Sequence, residues 1–197
     1  MVSAPSGAGK TSLVKALVET TEGLAMSVSY TTRLKRAGEQ EGVDYHFRSA
    51  AAFESMLAEN DFLEHACVFG NYYGTSQPQV ASRLAQGLDV ILEIDWQGAQ
   101  QVRRQAPDCI SIFILPPSRR CLQERLEGRG QDGPEVIAER MAQAVDEMSH
   151  YGEFDYLVVN DDFDTALAQL GMIVQSQRLK QPRQAHQLQN LITELLS

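Results

Sequence analysis

Eight consecutive residues near the start of the chain, Ala4-Pro5-Ser6-Gly7-Ala8-Gly9-Lys10-Thr11, have the types and order that hold a chain of phosphates. They match the pattern GxxxxGK[ST], with Ala4 in the position of the first glycine. Gly7 and Gly9 let the backbone wrap with its N–H groups inward, and the helix that follows favours an anion at its start. Lys10 can reach the β- and γ-phosphates of a nucleotide, and the Thr11 hydroxyl can ligate Mg2+. A second group lies in Asp89-Val-Ile-Leu-Glu-Ile-Asp95, where Glu93 and Asp95 are spaced to share one side of a strand. At the carboxyl end of such a strand an acid can hold a metal's water or accept a substrate N–H, and it can equally cap the next helix.

These groups need a frame. Met1-Val2-Ser3 reads as a strand leading into the loop, and the residues after Thr11 as a helix with Leu13, Val14, Leu17 and Val18 on one face. Residues 90–94, 110–115 and 156–159 are short, uninterrupted apolar runs, as in parallel strands covered on both faces. Between them the spacing predicts helices over 50–59, 77–86, 98–105, 118–127, 135–150 and 165–178, with Pro134 suited to a first turn. Strands alternating with helices give an α/β sandwich, a central parallel sheet flanked by helices in one domain over 1–197. Two segments interrupt the alternation and read as movable parts: 28–78, polar and rich in Tyr and Gly, and 118–150, where Gly128, Gly130 and Gly133 lie among arginines. After Pro182 a helical tail sets Leu188, Leu191, Ile192 and Leu195 in one apolar stripe. That stripe is expected to pack on the chain's own core, with self-association as the alternative. Only three residues precede Ala4, against ~5–6 in a usual strand, so residues upstream of Met1 are expected.

The composition narrows the classes of partner. Seventeen Lys and Arg against 26 Asp and Glu give a net charge of −9, a field that repels nucleic acid and anionic membrane, so a phosphate ligand requires a local cationic pocket. Cys67, Cys109 and Cys121 are odd in number and widely spaced, the usage of reduced, packed thiols in a cytoplasmic protein. No run approaches the ~20 apolar residues of a membrane span, and the start is not that of a signal peptide. His46, His65, His150 and His186 have no metal-ligand spacing and read as structural or solvated, and Trp96 is expected in the core.

In order along the chain, APSGAGKTSL, SVSYTTR, Arg36, GVDYHF, FLEHA, GNYYGTS, LEIDWQGAQQVR, LEGRG and VVNDD resemble guanylate kinase from residue 2 to about 175. The departures are few: Ala4, as in many bacterial relatives, Tyr30, and Leu34-Lys35 where proline is common. The resemblance implies a P-loop NTPase fold with an inserted GMP-binding segment (28–78) and a lid (118–150), and the reaction ATP + GMP to ADP + GDP, with Mg2+ as cofactor. It implies an ATP site made by Ala4 to Ser12, that is Ala4, Pro5, Ser6, Gly7, Ala8, Gly9, Lys10, Thr11 and Ser12, with Arg125 and, on the adenine side, Asn160. Arg33, Arg36, Tyr45 and Tyr73 would grip the 5′-phosphate of GMP, guanidinium forks and phenol hydroxyls being matched to a phosphate dianion. Glu64 and Asp95, helped by Ser29 and Thr75 and bordered by Glu93, would read the base. Guanine presents N1–H and a 2-amino group to an acceptor-only carboxylate, and adenine has neither donor there, which supports discrimination of up to ~10⁴-fold. Thr11 would ligate Mg2+ directly and Glu93 through water. Arg125, Arg129 and Arg140 would close with the lid, so that Lys10, Arg33, Arg129 and Arg140 carry the catalytic charge. The acceptor is already an anion, so no general base is required. The expected partners are ATP and GMP or dGMP, without nucleic acid or membrane. A catalytically inactive interaction module of the same fold is the alternative, disfavoured by the intact Lys10 and Thr11.

Overall fold

A computed structural model describes the whole chain except Phe69, residues 129–132 and the side chain of Pro134. In chain order the elements are β1 (Val2–Ser3), α1 (Lys10–Thr20), β2 (Leu24–Met26), β3 (Tyr30–Thr31), β4 (His46–Phe47), α2 (Ala50–Ala58), β5 (Phe62–Val68), β6 (Asn71–Ser76), α3 (Gln77–Ala85), β7 (Asp89–Ile91), α4 (Trp96–Gln105), β8 (Ile112–Leu115), α5 (Arg119–Glu127), α6 (Pro134–Ser149), a 3₁₀ turn (His150–Glu153), β9 (Tyr156–Val159), α7 (Phe163–Arg178), α8 (Gln181–Gln187) and α9 (Gln189–Leu196).

The apolar runs become parallel strands, β8 and the strand through Val90 and Ile94 buried on both faces and β9 on one, its Leu157 and Val159 being exposed on the other. β2 pairs with β7, and β8 with both β1 and β9, all parallel. Val2 joins the two sets, its N–H on the Leu92 carbonyl at 2.8 Å and its own carbonyl accepting from Ile94 N at 3.2 Å. The resulting order is β2-β7-β1-β8-β9. One face buries Val2, Ile112, Ile114 and Val158 against Leu13, Val14 and Leu17 of α1 and Ala166 and Leu170 of α7. The other packs Leu92 and Ile94 against Val80 of α3 and Ala99 and Val102 of α4. α5 and α6 share a smaller core of Leu122, Leu126 and Ala144, with Ile137, Met141 and Met148 against it.

The sequence reading assigns no strand to 28–78, yet that segment folds as a second sheet of order β4-β3-β6-β5. β3 runs parallel to β4 and antiparallel to β6, and β5 and β6 form an antiparallel pair with an irregularity between Phe62 and Glu64. An aromatic core holds it to α2: Phe53 stacks on Phe62 at 4.4 Å and on Tyr72 at 5.4 Å, with Tyr30 edge-on to Phe62. Gly74 keeps this stack possible, since a Cβ there would lie 2.7 Å from Phe62 Cδ1.

Three expectations are corrected by the fold. The tail does not pack on the core: Leu191 is 48 % and Leu195 73 % exposed, because the link back to the domain is polar, Arg178 Nε and Arg183 Nη1 each donating to Asp89 at 2.7 Å. Trp96 is half-buried rather than internal and stacks on His150, ring centroids 3.6 Å apart and 9° from parallel. The cysteines are free, but only in part packed: Cys109 lies against the core of Val80, Leu92 and Val102 as expected, Cys121 is half-buried, and Cys67 lies on the exposed side of the alternating β5.

Candidate active site

The loop between β1 and α1 owes its shape to contacts from distant parts of the chain. Gly7 and Gly9 have φ of 89° and 91°, the left-handed region that side chains disfavour. A Cβ at Gly7 would come within 3.0 Å of Leu122 and Leu126, and one at Gly9 would run into the Asn160 amide. Asn160 Nδ2 donates to the Ala8 carbonyl at 2.7 Å, and Arg125 donates to the carbonyls of Ala8 (3.4 Å) and Asn160 (2.9 Å). With that carbonyl pulled outward, loop N–H groups are left for an anion. Ala4 requires no positive φ, which is why alanine serves at the first position.

At the end of the loop Lys10 Nζ donates to the Ile94 carbonyl at 3.2 Å and lies 3.8 Å from Glu93 Oε1. The Thr11 hydroxyl donates to the same carboxylate oxygen. Two hard oxygen groups thus meet beside the phosphate loop. Among the described residues no cluster of three or more His, Cys, Asp or Glu could hold a metal unaided. A pair of this kind fits Mg2+, which is commonly bound by one or two protein groups together with substrate phosphates and water.

Next to Lys10 a cavity of about 170 Å³ is lined by Lys10, Ser29, Tyr45, Glu64, Tyr73, Glu93, Asp95 and Glu147, with Ala66, Val68 and Ile94. Glu64 is its most buried acid, 5 % exposed. The register that opposes Glu64 to Thr75 across β5 and β6 lets the Thr75 hydroxyl donate to Glu64 Oε1 at 2.5 Å. Burial pushes the Glu64 carboxyl up to about 7, outweighing Thr75, with Asp95 adding to the rise and Lys10 opposing it. Asp95 caps α4, its Oδ1 accepting from Gly98 N at 2.8 Å. It therefore does both things open to a strand-end acid: it caps the helix and faces the cavity.

Tyr45 is set by the loop around it. Lys15 of α1 pairs with Asp44 at 3.0 Å across to the inserted segment, and Tyr45 meets Tyr73 edge-on at 6.0 Å. Burial, and after it the Glu93 charge, push the Tyr45 hydroxyl up to about 12, so it remains a donor. Arg33 lies over the Tyr45 ring with its Cζ 5.3 Å from the centroid. Its fork is bidentate on Glu39, at 2.7 and 3.2 Å, which raises the pKa of Arg33 and lowers that of Glu39. Arg36 is exposed on the same loop, its backbone N–H on Glu39 at 2.8 Å.

Of the residues expected in the site, the cavity gathers Lys10, Ser29, Tyr45, Glu64, Tyr73, Glu93 and Asp95, with Thr75 behind Glu64 and Thr11 on Glu93. Arg33 and Arg36 stay at its edge, bound up with Glu39. Arg125 and Asn160 border a separate cavity of about 260 Å³ with Gly9, Ser12, Asp161 and Phe163. Arg140 is on α6, and Arg129 lies outside the described residues. Sequence reasoning missed two residues. Glu147 reaches the loop from α6, and nothing in an acidic helix face distinguishes it. Gly98 does leave a signal, a glycine in the first turn of a helix: a Cβ there would lie 2.5 Å from Glu64 Oε2.

Comparison with known proteins bears on the same arrangement. The family model described as guanylate kinase matches residues 1–177. A guanylate kinase of Saccharophagus degradans is 61% identical over 196 residues, covering 100% of this chain and 96% of that protein. One of Alkalilimnicola ehrlichii is 59% identical, with 100% and 97% covered. The crystal structure of guanylate kinase from Anaplasma phagocytophilum superposes with a TM-score of 0.78 at 33% identity, over 92% of this chain and 86% of that one.

Proposed function

The chain belongs to the guanylate kinase family, and from that premise we propose a role for each group around the loop. The reaction is that of an ATP-dependent guanylate kinase, moving the γ-phosphoryl of ATP to GMP to give ADP and GDP. An inactive interaction module has no support from relatives that carry the enzyme's name over the full length of the chain.

In this reading GMP occupies the cavity beside Lys10 with its base toward Glu64. Carrying the proposal is one observation: a carboxylate 5 % exposed, facing the cavity next to the phosphate loop, with room made for it by Gly98. N1–H and the 2-amino group of guanine donate to it, while Ser29, Thr75 and Asp95 complete the polar lining. Tyr45, Tyr73, Arg33 and Arg36 take the 5′-phosphate, for which Arg33 exchanges Glu39 for the substrate. ATP lies along Ala4 to Ser12, its phosphates on the loop amides, with Arg125 and Asn160 beside the nucleoside.

An anionic oxygen of the GMP phosphate attacks the γ-phosphorus in line as the bond to the β-bridging oxygen breaks, and ADP leaves with that electron pair. No proton must be removed first, so this chain's contribution is alignment and charge. Lys10 leaves the Ile94 carbonyl to follow the transferring group, and Arg129 and Arg140 close over it with 118–150, shutting out water. Thr11 directly, and Glu93 through water, would hold Mg2+, which when bound neutralises the β- and γ-oxygens.

The partners proposed are small nucleotides, since a net charge of −9 disfavours polyanions. Among the described residues no helix is long and apolar enough to cross a membrane, and the proposed compartment is the cytoplasm, where the three thiols stay reduced. Self-association through the apolar residues of α9 belongs to the same proposal, with molecular mass in solution as its readout. The decisive assay compares ADP formation with GMP, dGMP, AMP, UMP and dTMP in the presence of Mg2+. Turnover confined to GMP and dGMP is expected, and equal turnover of AMP would overturn the role given to Glu64.

A further inference from the structure

Glu147 has no part in the reaction described above, yet it makes a contact that the reaction must break. It lies on α6, and its Oε2 accepts the backbone N–H of Ser6 at 3.0 Å, across 141 residues of sequence. The residue is half-buried, lining the cavity proposed for GMP with Lys10, Glu93 and Asp95 and an adjoining cavity of about 190 Å³ with Asp95, Trp96 and Gln143. An anionic oxygen at this distance from an amide of the phosphate loop is the position a nucleotide phosphate oxygen takes at such a loop.

The same end of α6 is also fixed to α4. Just after Ser149, His150 stacks on Trp96 of α4 and pairs with Glu153 at 2.6 Å, and Gln100 of α4 donates to the same Glu153 at 2.9 Å. The helix is therefore anchored at its C-terminus by this stack and linked to the loop one turn earlier by Glu147. Release at Glu147 leaves in place both this anchor and the packing of Ile137, Met141, Ala144 and Met148 on Leu122 and Leu126 of α5, and parts the helix only from the loop.

We propose that Glu147 stands in for a nucleotide phosphate on the Ser6 amide, tethering α6 to the loop, and that ATP binds there only by displacing it. The inference rests on the reading of the loop as the ATP phosphate site. Carboxylate and triphosphate carry the same sign and compete for one donor, so the tether weakens ATP binding. Burial also raises the Glu147 carboxyl above the usual carboxylate range, against the pull of the Ser6 amide and Lys10, consistent with an acid that gains little from staying charged there.

The test measures ATP affinity at equilibrium, together with kcat and the thermal midpoint, for the full chain and for Glu147→Gln, Glu147→Ala and Lys10→Ala. Both Glu147 variants should bind ATP about tenfold more tightly, a change of about 1.4 kcal/mol, while kcat does not rise in proportion. A merely structural contact would lower the midpoint without tightening ATP. Unchanged or weaker ATP binding in both folded Glu147 variants, with Lys10→Ala still weakened, would overturn the tether and spare the loop reading. If Lys10→Ala also leaves ATP affinity unchanged, the loop reading falls and the tether with it.

Discussion

Binding of GMP should release a proton from Glu64. In the unliganded chain burial holds that carboxyl at about 7, against an ordinary 4.5, so it is about nine-tenths protonated at pH 6 and about one-tenth at pH 8. Guanine brings two donors and needs the carboxylate, so through Glu64 alone GMP affinity should fall about tenfold from pH 8 to pH 6, or about 1.4 kcal/mol. The sign for stability runs the other way. A carboxyl whose folded pKa exceeds its unfolded one stabilises the fold fully below about 4.5, and loses that contribution as pH rises through about 7, at most about 3 kcal/mol for a group so buried. The empty enzyme should therefore lose stability across that window, and GMP should restore it by pairing the ionised acid. Calorimetry of GMP binding at pH 6, 7 and 8, in two buffers of different ionisation enthalpy, counts the proton directly. The GMP phosphate titrates near ~6 as well, so Glu64→Gln serves as the control that keeps that proton and removes the other. Close to one extra proton released at pH 6 by the parent chain, falling toward none at pH 8, is the expected result. Identical proton counts for parent and variant would refute the reasoning.

Lys10→Ala should lower kcat by about 10³, the scale of losing one preorganised donor to the developing charge, with little change in thermal midpoint because its present partners are one carbonyl and an acid 3.8 Å away; near-normal kcat would remove Lys10 from the mechanism. Gly98→Ala should gain up to ~1 kcal/mol of helix propensity yet drive a Cβ against Glu64, raising KM for GMP by about 10- to 100-fold and leaving KM for ATP alone. An unchanged KM for GMP would separate Glu64 from base recognition.

The parallel sheet was legible because β8 and the strand through Val90 and Ile94 are covered on both faces, and such strands must be apolar throughout; β9 is apolar too, although its Leu157 and Val159 side is exposed. The sheet of the inserted segment was not, since β3 and β4 are two residues each and the core of Tyr30, Phe53 and Phe62 draws single aromatics from three elements. No local period records such a core. The site divides along the same line. Lys10, Thr11, Glu93 and Asp95 could be read from spacing, because loop and strand end fix them locally. Glu64 became interpretable only through the family pattern, as its burial depends on Thr75 across a hairpin and on a glycine in α4. Glu147 had no signal, since its partner is a backbone amide 141 residues away.

Charge explains why GMP should bind one way round and why the segments must move. The cavity is lined by four carboxylates, Glu64, Glu93, Asp95 and Glu147, against the one ammonium of Lys10 among its described lining residues. A phosphate dianion is repelled from the Glu64 end, while a base edge carrying two donors is drawn to it. The phosphate end needs cations that the resting cavity lacks. Arg33 is near but bidentate on Glu39, and a dianion competes well for a guanidinium whose partner is a single, partly exposed carboxylate. In the proposed reading, exchanging Glu39 for substrate would leave Arg33 charged and over Tyr45, so that arrival of the phosphate would neutralise the site. On that reading, base selection and phosphate capture would be separated in space by sign of charge.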